Sequence, residues 1–216
     1  MNNRFLKRLA AAVLLVSLLL ACSACGGKKH TLSDLESALG LRSAFTDPVS
    51  FYKNAQALGT DYLIDPDQLT DGWTAPEILQ NDLLPMYTKN YDDSVAHATI
   101  FGEHSFRKAG ALNSAALSNV TDAGEAPAGE SLQMFASMYA ALRTELGEAD
   151  VLNVDVMYND EVNVDPAEVD AYLSAGDVSH SYYAQWRVEG GYNISIEFNG
   201  PNSVVPTGVS ITMSNP

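Results

Sequence analysis

The sequence has only two cysteines, Cys22 and Cys25, and both lie near its amino end. No disulfide can therefore cross-link the rest of the chain, whose stability must come from its own hydrophobic core. Basic residues are also scarce, because 12 Lys and Arg stand against 27 Asp and Glu, which gives a formal net charge of −15. This acidity disfavours nucleic acid and anionic lipid surfaces as partners, since their phosphates would be repelled.

Only one long apolar run occurs, LAAAVLLVSLLLA over residues 9–21, and the basic residues Arg4, Lys7 and Arg8 precede it. A helix of this length, at about 1.5 Å per residue, is too short to cross a hydrocarbon core of about 30 Å. A basic segment followed by such a run is typical of a cleaved export signal.

The apolar run ends in Leu19, Leu20, Ala21 and Cys22, with an apolar residue three positions before the cysteine and a small residue directly before it. This pattern resembles the lipobox of bacterial lipoprotein signal peptides, and the resemblance covers residues 1–27. It implies that the Cys22 thiol takes a diacylglycerol group and that the signal is cut on the amino side of Cys22. Cys25 lacks an apolar residue three positions before it and is therefore the poorer acceptor of the diacylglycerol group.

A Cys-x-x-Cys pair can also form a redox site or half of a zinc site. A redox pair would need a surrounding βαβ pattern, and a structural zinc site would need two further ligands nearby. The nearest candidate ligand is His30, alone in a Gly-Gly-Lys-Lys-His linker. Lipid attachment is therefore the preferred interpretation.

Cleavage before Cys22 would leave 195 residues (216 minus 21) with a net charge of 9 − 27 = −18. The predicted organisation is a signal peptide over residues 1–21, a lipidated tether over 22–31, a helix-rich half with weak strands over 32–120 and an α+β unit over 131–216. The small residues of segment 121–130 form the best linker between the two halves.

Helix-start signals predict three short helices in the first half. They occur at Ser33 with Glu36, at Asp47 with Pro48 and at Thr74 with Pro76 and Glu77, and the helices should end near Gly40, at Gly59 and before Pro85. Alanine-rich segments at 94–103 and 110–119 alternate weakly and predict strands.

The second half has sharper patterns. Apolar residues recur every three or four positions from Ser131 to Leu146, which predicts an amphipathic helix with Gly147 as a left-handed C-cap. Asp165 and Pro166 predict a short helix over residues 167–173. Apolar and polar residues alternate in four segments, at 151–158, 182–189, 193–198 and 209–213.

An antiparallel sheet with one covered side produces such strands, so we predict an α+β fold whose sheet is covered on one face by helices, after a helical N-terminal third. The two halves could also be related α/β units. Residues 97–100 would then match 184–186, and 111–118 would match 207–214. This arrangement is loosely similar to the small α/β repeats of BamE-like and β-lactamase-inhibitor-like secreted proteins. Coincidence is the favoured alternative, because a helix followed by strands is a common order.

No catalytic motif is complete. Ser-x-x-Lys occurs at Ser50 and Ser105, but no Ser-Asp-Asn element follows, and Gly-x-Ser-x-Gly is absent. His97 and His104 are interpreted as structural residues, since neither has helical spacing to a second ligand.

No cofactor or metal site is predicted either. The acidic segment 61–71 does not match the ligand positions of an EF-hand loop. Helix capping and turn formation explain both that segment and the cluster of Asp160, Glu161 and Asp165.

A candidate binding face lies on the polar side of two predicted strands. Tyr183 and Arg187 share one strand, and Asn193 and Glu197 lie on the next. Aromatic and arginine side chains are enriched at interfaces, so these four residues are candidates for docking a protein, peptide or glycan. The alternatives are a solvated face, or a face packed against the first half of the chain.

We therefore expect a lipoprotein on the outer, extracytoplasmic face of a bacterial cell membrane, anchored by lipid on Cys22 and acting as a non-enzymatic binding or envelope-associated module. Its partner would be a cell-envelope protein, a peptide or a glycan, and not nucleic acid. One alternative is a small extracytoplasmic hydrolase whose catalytic residues are distant in sequence. Another is the solute-binding lipoprotein of a transporter, although two lobes around a ligand usually need a longer chain.

Overall fold

The computed structural model describes residues 29–59, 62–65, 69, 72–74, 86–91, 96–103, 111–120, 126–155, 163–189 and 191–215. These residues form a mixed α+β fold, as predicted. The predicted signal peptide, Cys22, Cys25 and the predicted helix before Pro85 lie outside them. No helix in the described ranges is both long enough and apolar enough to span a membrane.

The described residues contain four α-helices: α1 is Leu32–Leu39, α2 is Pro48–Leu58, α3 is Ala128–Leu146 and α4 is Pro166–Ala175. The predicted start of α2 is confirmed, because the Asp47 side chain accepts a hydrogen bond from the Ser50 amide at 3.0 Å. The prediction for Gly147 is wrong in detail. Its φ of 86° is positive, but its ψ of −164° is extended rather than left-handed helical.

Helix α1 begins earlier than predicted, because its N-cap is Thr31 and not Ser33. The Asp34 amide donates to Thr31 Oγ1 at 3.0 Å, and the Thr31 amide donates to the Asp34 carboxylate at 3.1 Å. Thr31 and Asp34 have the same spacing as Ser33 and Glu36, so both pairs satisfy the capping pattern. The earlier pair leaves Glu36 inside the helix, where its side chain makes long-range contacts.

The described residues contain nine strands: β1 is Lys29–His30, β2 Leu63–Ile64, β3 Met86–Asn90, β4 His97–Glu103, β5 Ala111–Ser118, β6 Val151–Val154, β7 Tyr182–Val188, β8 Tyr192–Asn199 and β9 Gly208–Ser214. Seven of them form one antiparallel sheet in the order β3-β4-β5-β9-β8-β7-β6. Strands β1 and β2 form a short parallel pair beside Ala111, at the start of β5.

The core lies between one face of this sheet and the helices. Along β8 the residues Tyr192, Ile194, Ile196 and Phe198 are buried, and half-buried polar residues alternate with them. Helix α3 contacts β7, β8 and β9, while α2 contacts α1, α3 and β9. The predicted antiparallel sheet covered on one face by helices is confirmed.

The strand pair β4–β5 and the strand pair β8–β9 are aligned in the same register. Adding 96 to both numbers of the pair His97 and Ser118 gives Asn193 and Ser214, which are also paired. Strands β5 and β9 meet with Ala116 opposite Thr212, whose numbers again differ by 96. An approximate two-fold rotation thus relates β4–β5 to β8–β9. Residues 111–118 correspond to 207–214, whereas 97–100 correspond to 193–196 and not to 184–186.

Backbone groups at both edges of the sheet are hydrogen-bonded by residues outside the strands. At the β3 edge, Thr74 and Thr88 exchange two bonds of 2.8 and 2.9 Å. At the β6 edge, the Val164 amide donates to the Leu152 carbonyl, and the Leu152 amide donates to Asn163 Oδ1, both at 2.9 Å. Unpaired edge groups recruit other strands, so these contacts limit pairing of that kind.

Candidate functional site

The four predicted binding residues lie on the sheet face opposite the helices, as two cross-strand pairs. Tyr183 of β7 lies opposite Glu197 of β8, and Arg187 lies opposite Asn193. Arg187 is exposed, but Tyr183 is only 6% exposed and donates its hydroxyl hydrogen to Gln185 Oε1 at 2.9 Å. The structure therefore places the four residues on one face as two pairs, with the pair of Gln185 and Ser195 between them.

A second candidate is a cleft of about 590 Å³ at the end of the sheet where β7 begins and β8 ends. Its described lining residues are Asp155, Ser179, His180, Ser181, Asn202, Ser203 and Val204. They follow β6, precede β7 and lie in the loop between β8 and β9. Sequence analysis did not identify this cleft, because it is assembled from three separate segments that match no motif.

Asp155 connects the segments of this cleft. Its φ of 57° is left-handed, a conformation that Asp adopts more readily than most residues. Its Oδ1 accepts a hydrogen bond from the Ser181 amide at 2.9 Å, and its own amide donates to the Ser181 carbonyl at 2.9 Å. Its Oδ2 lies 2.5 Å from His180 Nδ1. One carboxylate thus fixes the positions of both His180 and Ser181.

The His180 ring lies between two carboxylates. Asp155 contacts Nδ1, and Asp177 Oδ2 lies 3.8 Å from Nε2. The ring also packs against Tyr172 of α4, with centroids 4.8 Å apart. The hydrogen bond to Asp155 raises the pKa of His180, the charges of Asp155, Asp177 and Glu168 add to the rise, and burial opposes it. The arrangement favours the imidazolium form of His180.

The loop between β8 and β9 is fastened to the loop before β7. The Gly200 amide donates to Ser181 Oγ at 3.1 Å, and Asn202 Nδ2 donates to the Ser179 carbonyl at 3.2 Å. Only glycine fits at position 200, because a Cβ there would lie 2.6 Å from the His180 carbonyl oxygen. These contacts fix the positions of Gly200 and Asn202 beside Ser179 and Ser181.

Comparison with models of known protein families, with curated proteins and with solved structures gave no match. Within the described ranges, no group of three or more His, Cys, Asp and Glu side chains is arranged to hold a metal ion. Function is therefore inferred from the residues of the chain itself.

We expect Asp155→Asn to lower the pKa of His180, because the substitution removes the main cause of its rise. Asparagine also adopts the left-handed conformation, so the backbone should be preserved. Since the folded-state pKa is raised, the ion pair should stabilise the protein fully below about pH 6.5. That stabilisation should be lost as the pH rises through the folded-state pKa.

An NMR titration of the His180 ring protons, with unfolding measured at each pH, tests this expectation. Glu145→Gln is the control, because Glu145 pairs with Lys53 and not with His180. An unchanged His180 titration in Asp155→Asn would contradict the assignment of Asp155 as the principal partner.

Proposed function

We propose that this protein is a lipid-anchored extracytoplasmic binding module of the bacterial envelope. The observation that carries the proposal is the leader, in which a basic segment, a short apolar run and Leu-Leu-Ala precede Cys22 in the order of a lipobox. The chain's excess of negative charge supports it, because an acidic body is repelled by anionic lipid and stays above the surface that anchors it.

The position of the cleft relative to the tether supports a binding role. Lys29 is seven residues after Cys22, so at about 3.6 Å per residue the tether reaches roughly 25 Å when fully extended. Strand β1, which begins at Lys29, lies beside the Ala111 end of β5. The opposite end of β5, at Ser118, pairs with β9 near Gly208. An anchor on Cys22 would therefore be attached at the end of the sheet opposite the cleft.

The chemistry of His180 favours binding over catalysis. In a serine hydrolase, the nitrogen opposite the aspartate takes the proton of the nucleophile. That nitrogen of His180 lies near Asp177 Oδ2, and no serine hydroxyl in the described part of the chain is hydrogen-bonded to the ring. The contacts with Asp155 and Asp177 raise the pKa of His180, which favours the protonated ring over the free base that general-base catalysis requires.

Mass spectrometry of the membrane fraction tests the anchor. The unaltered chain should begin at Cys22 and carry a diacylglycerol mass there, and Cys22→Ala should be neither cut nor acylated. Cys25→Ala is the matched control and should be processed like the unaltered chain. Absence of an acyl group from the unaltered protein, or its persistence in Cys22→Ala, would overturn the proposal.

A further inference from the structure

We infer that the cleft formed by Asp155, the β6–β7 connection and the β8–β9 loop binds a neutral polyhydroxylated ligand, namely a carbohydrate. This inference rests on the proposed binding function and adds the chemical class of the ligand. It follows from the charges, the hydrogen-bonding groups and the rigidity of the lining residues.

The charges of the cleft disfavour ionic ligands. Among the described lining residues none is Lys or Arg, and the one group that can become cationic, His180, is already paired with Asp155. A phosphate or carboxylate ligand would lack a cation with which to pair, and the net charge of −15 would also repel it. A cationic ligand would have to compete with His180 for the Asp155 carboxylate.

The hydrogen-bonding groups suit hydroxyls, each of which both donates and accepts. Ser181 Oγ accepts from Gly200 and so can donate its own hydrogen to a ligand. Asn202 uses one amide hydrogen on the Ser179 carbonyl, and its other hydrogen and its Oδ1 remain for a ligand. The Asp155 side chain is 53% exposed and can accept further hydrogen bonds. Donors and acceptors therefore lie side by side, as on a sugar.

The size, rim and rigidity of the cleft fit this ligand class. A volume of about 590 Å³ is within the usual range of about 300–1,000 Å³ for small-molecule sites. Val204 is fully exposed at the rim, where it can contact the C–H groups of a sugar ring. Ser181 is 9% exposed and held from two sides, so little ordering is needed on binding.

The test uses the full chain solubilised in detergent and isothermal titration calorimetry. The neutral probes are N-acetylchitotriose and cellotriose, and the charged probes are a heparin disaccharide and spermidine. We expect binding of a neutral probe, weakened about three- to tenfold in Ser181→Ala and in Asn202→Ala, each of which removes a hydrogen bond. Ser195→Ala, on β8 outside the cleft, is the matched control and should bind normally.

Several results would overturn the inference. Binding of only a charged probe, or of no probe, would exclude the ligand class. A neutral probe could also bind Asn202→Ala normally but fail to bind Arg187→Ala. That result would place the binding site on the polar sheet face, and the proposed binding function would still stand. Because Asn202 is exposed, Asn202→Ala should fold and can be used for the test if Ser181→Ala does not fold. A missing acyl group on Cys22 would overturn the anchor without affecting these titrations.

Discussion

Phe135→Ala should lower the free energy of unfolding by about 3–5 kcal/mol, the usual cost of truncating a buried phenylalanine. Phe135 lies on α3, is fully buried, and its ring centroid is 5.7 Å from that of Tyr182 on β7. Removing the ring loses buried apolar area and leaves a cavity between the helix and the sheet.

Urea denaturation followed by circular dichroism measures this loss, with the slope of the transition compared to confirm that the same surface unfolds. Met134→Ala is the matched control, because Met134 is the neighbouring residue on α3 but is 37% exposed. It should cost less than about 0.5 kcal/mol. Equal losses in the two variants would show that Phe135 does not join α3 to the sheet.

Glu36→Gln should lower the free energy of unfolding by about 3 kcal/mol, because it leaves a mostly buried ammonium group without a counter-charge. Glu36 Oε2 accepts from Lys89 Nζ at 2.9 Å and from Trp73 Nε1 at 3.2 Å, and its Oε1 accepts from Tyr91 at 2.9 Å. The Glu36 and Lys89 side chains are only 14% and 16% exposed. Glutamine keeps the volume of glutamate but not its charge.

Two comparisons distinguish this charge effect from a non-specific loss of stability. The double variant Glu36→Gln with Lys89→Met removes both charges and should recover much of the loss. Glu145→Gln breaks the Lys53–Glu145 pair, whose side chains are 52% and 39% exposed, and should cost less than about 1 kcal/mol. A loss for Glu36→Gln no larger than that for Glu145→Gln would contradict the prediction.

Strands whose two faces differ in environment could be predicted from sequence. Strand β8 alternates throughout and β9 alternates after its first residue, because helices cover only one side of them, whereas the first three residues of β7 are all buried. Strand β3 was not predicted, since its sequence MYTKN begins with two adjacent apolar residues and does not alternate. Its position depends instead on the pairing with β4 and on the contact between Lys89 and Glu36.

The joining of the two halves into one sheet could not be predicted from local patterns. It depends on the pairing of β5 with β9, two strands far apart in the chain. Buried Asn119 reinforces this pairing, because its Oδ1 accepts from the Val209 amide at 2.6 Å and its Nδ2 donates to Ser131 Oγ at 2.7 Å. A single asparagine after a weak strand gives no signal of such contacts.

The polar sheet face could be predicted from the sequence, whereas the cleft could not. Tyr183, Arg187, Asn193 and Glu197 could be grouped from alternation alone, because neighbouring antiparallel strands place residues of one parity on one face. Asp155 and His180 could not be paired in advance, since their contact depends on the left-handed backbone at Asp155 and on the packing of Tyr172 against His180.

If the proposed lipid anchor on Cys22 is correct, the hydrogen bonds that Thr74 and Asn163 make at the two margins of the sheet have a consequence for copies crowded on a lipid bilayer. Anchoring confines molecules to a plane, where collisions between equivalent strands become frequent and intermolecular cross-β growth could begin. Because the backbone groups of Thr88 and Leu152 already have hydrogen-bond partners, such growth would first have to break bonds within each molecule. We therefore expect that these two margins would not start fibril growth in a dense layer of anchored copies.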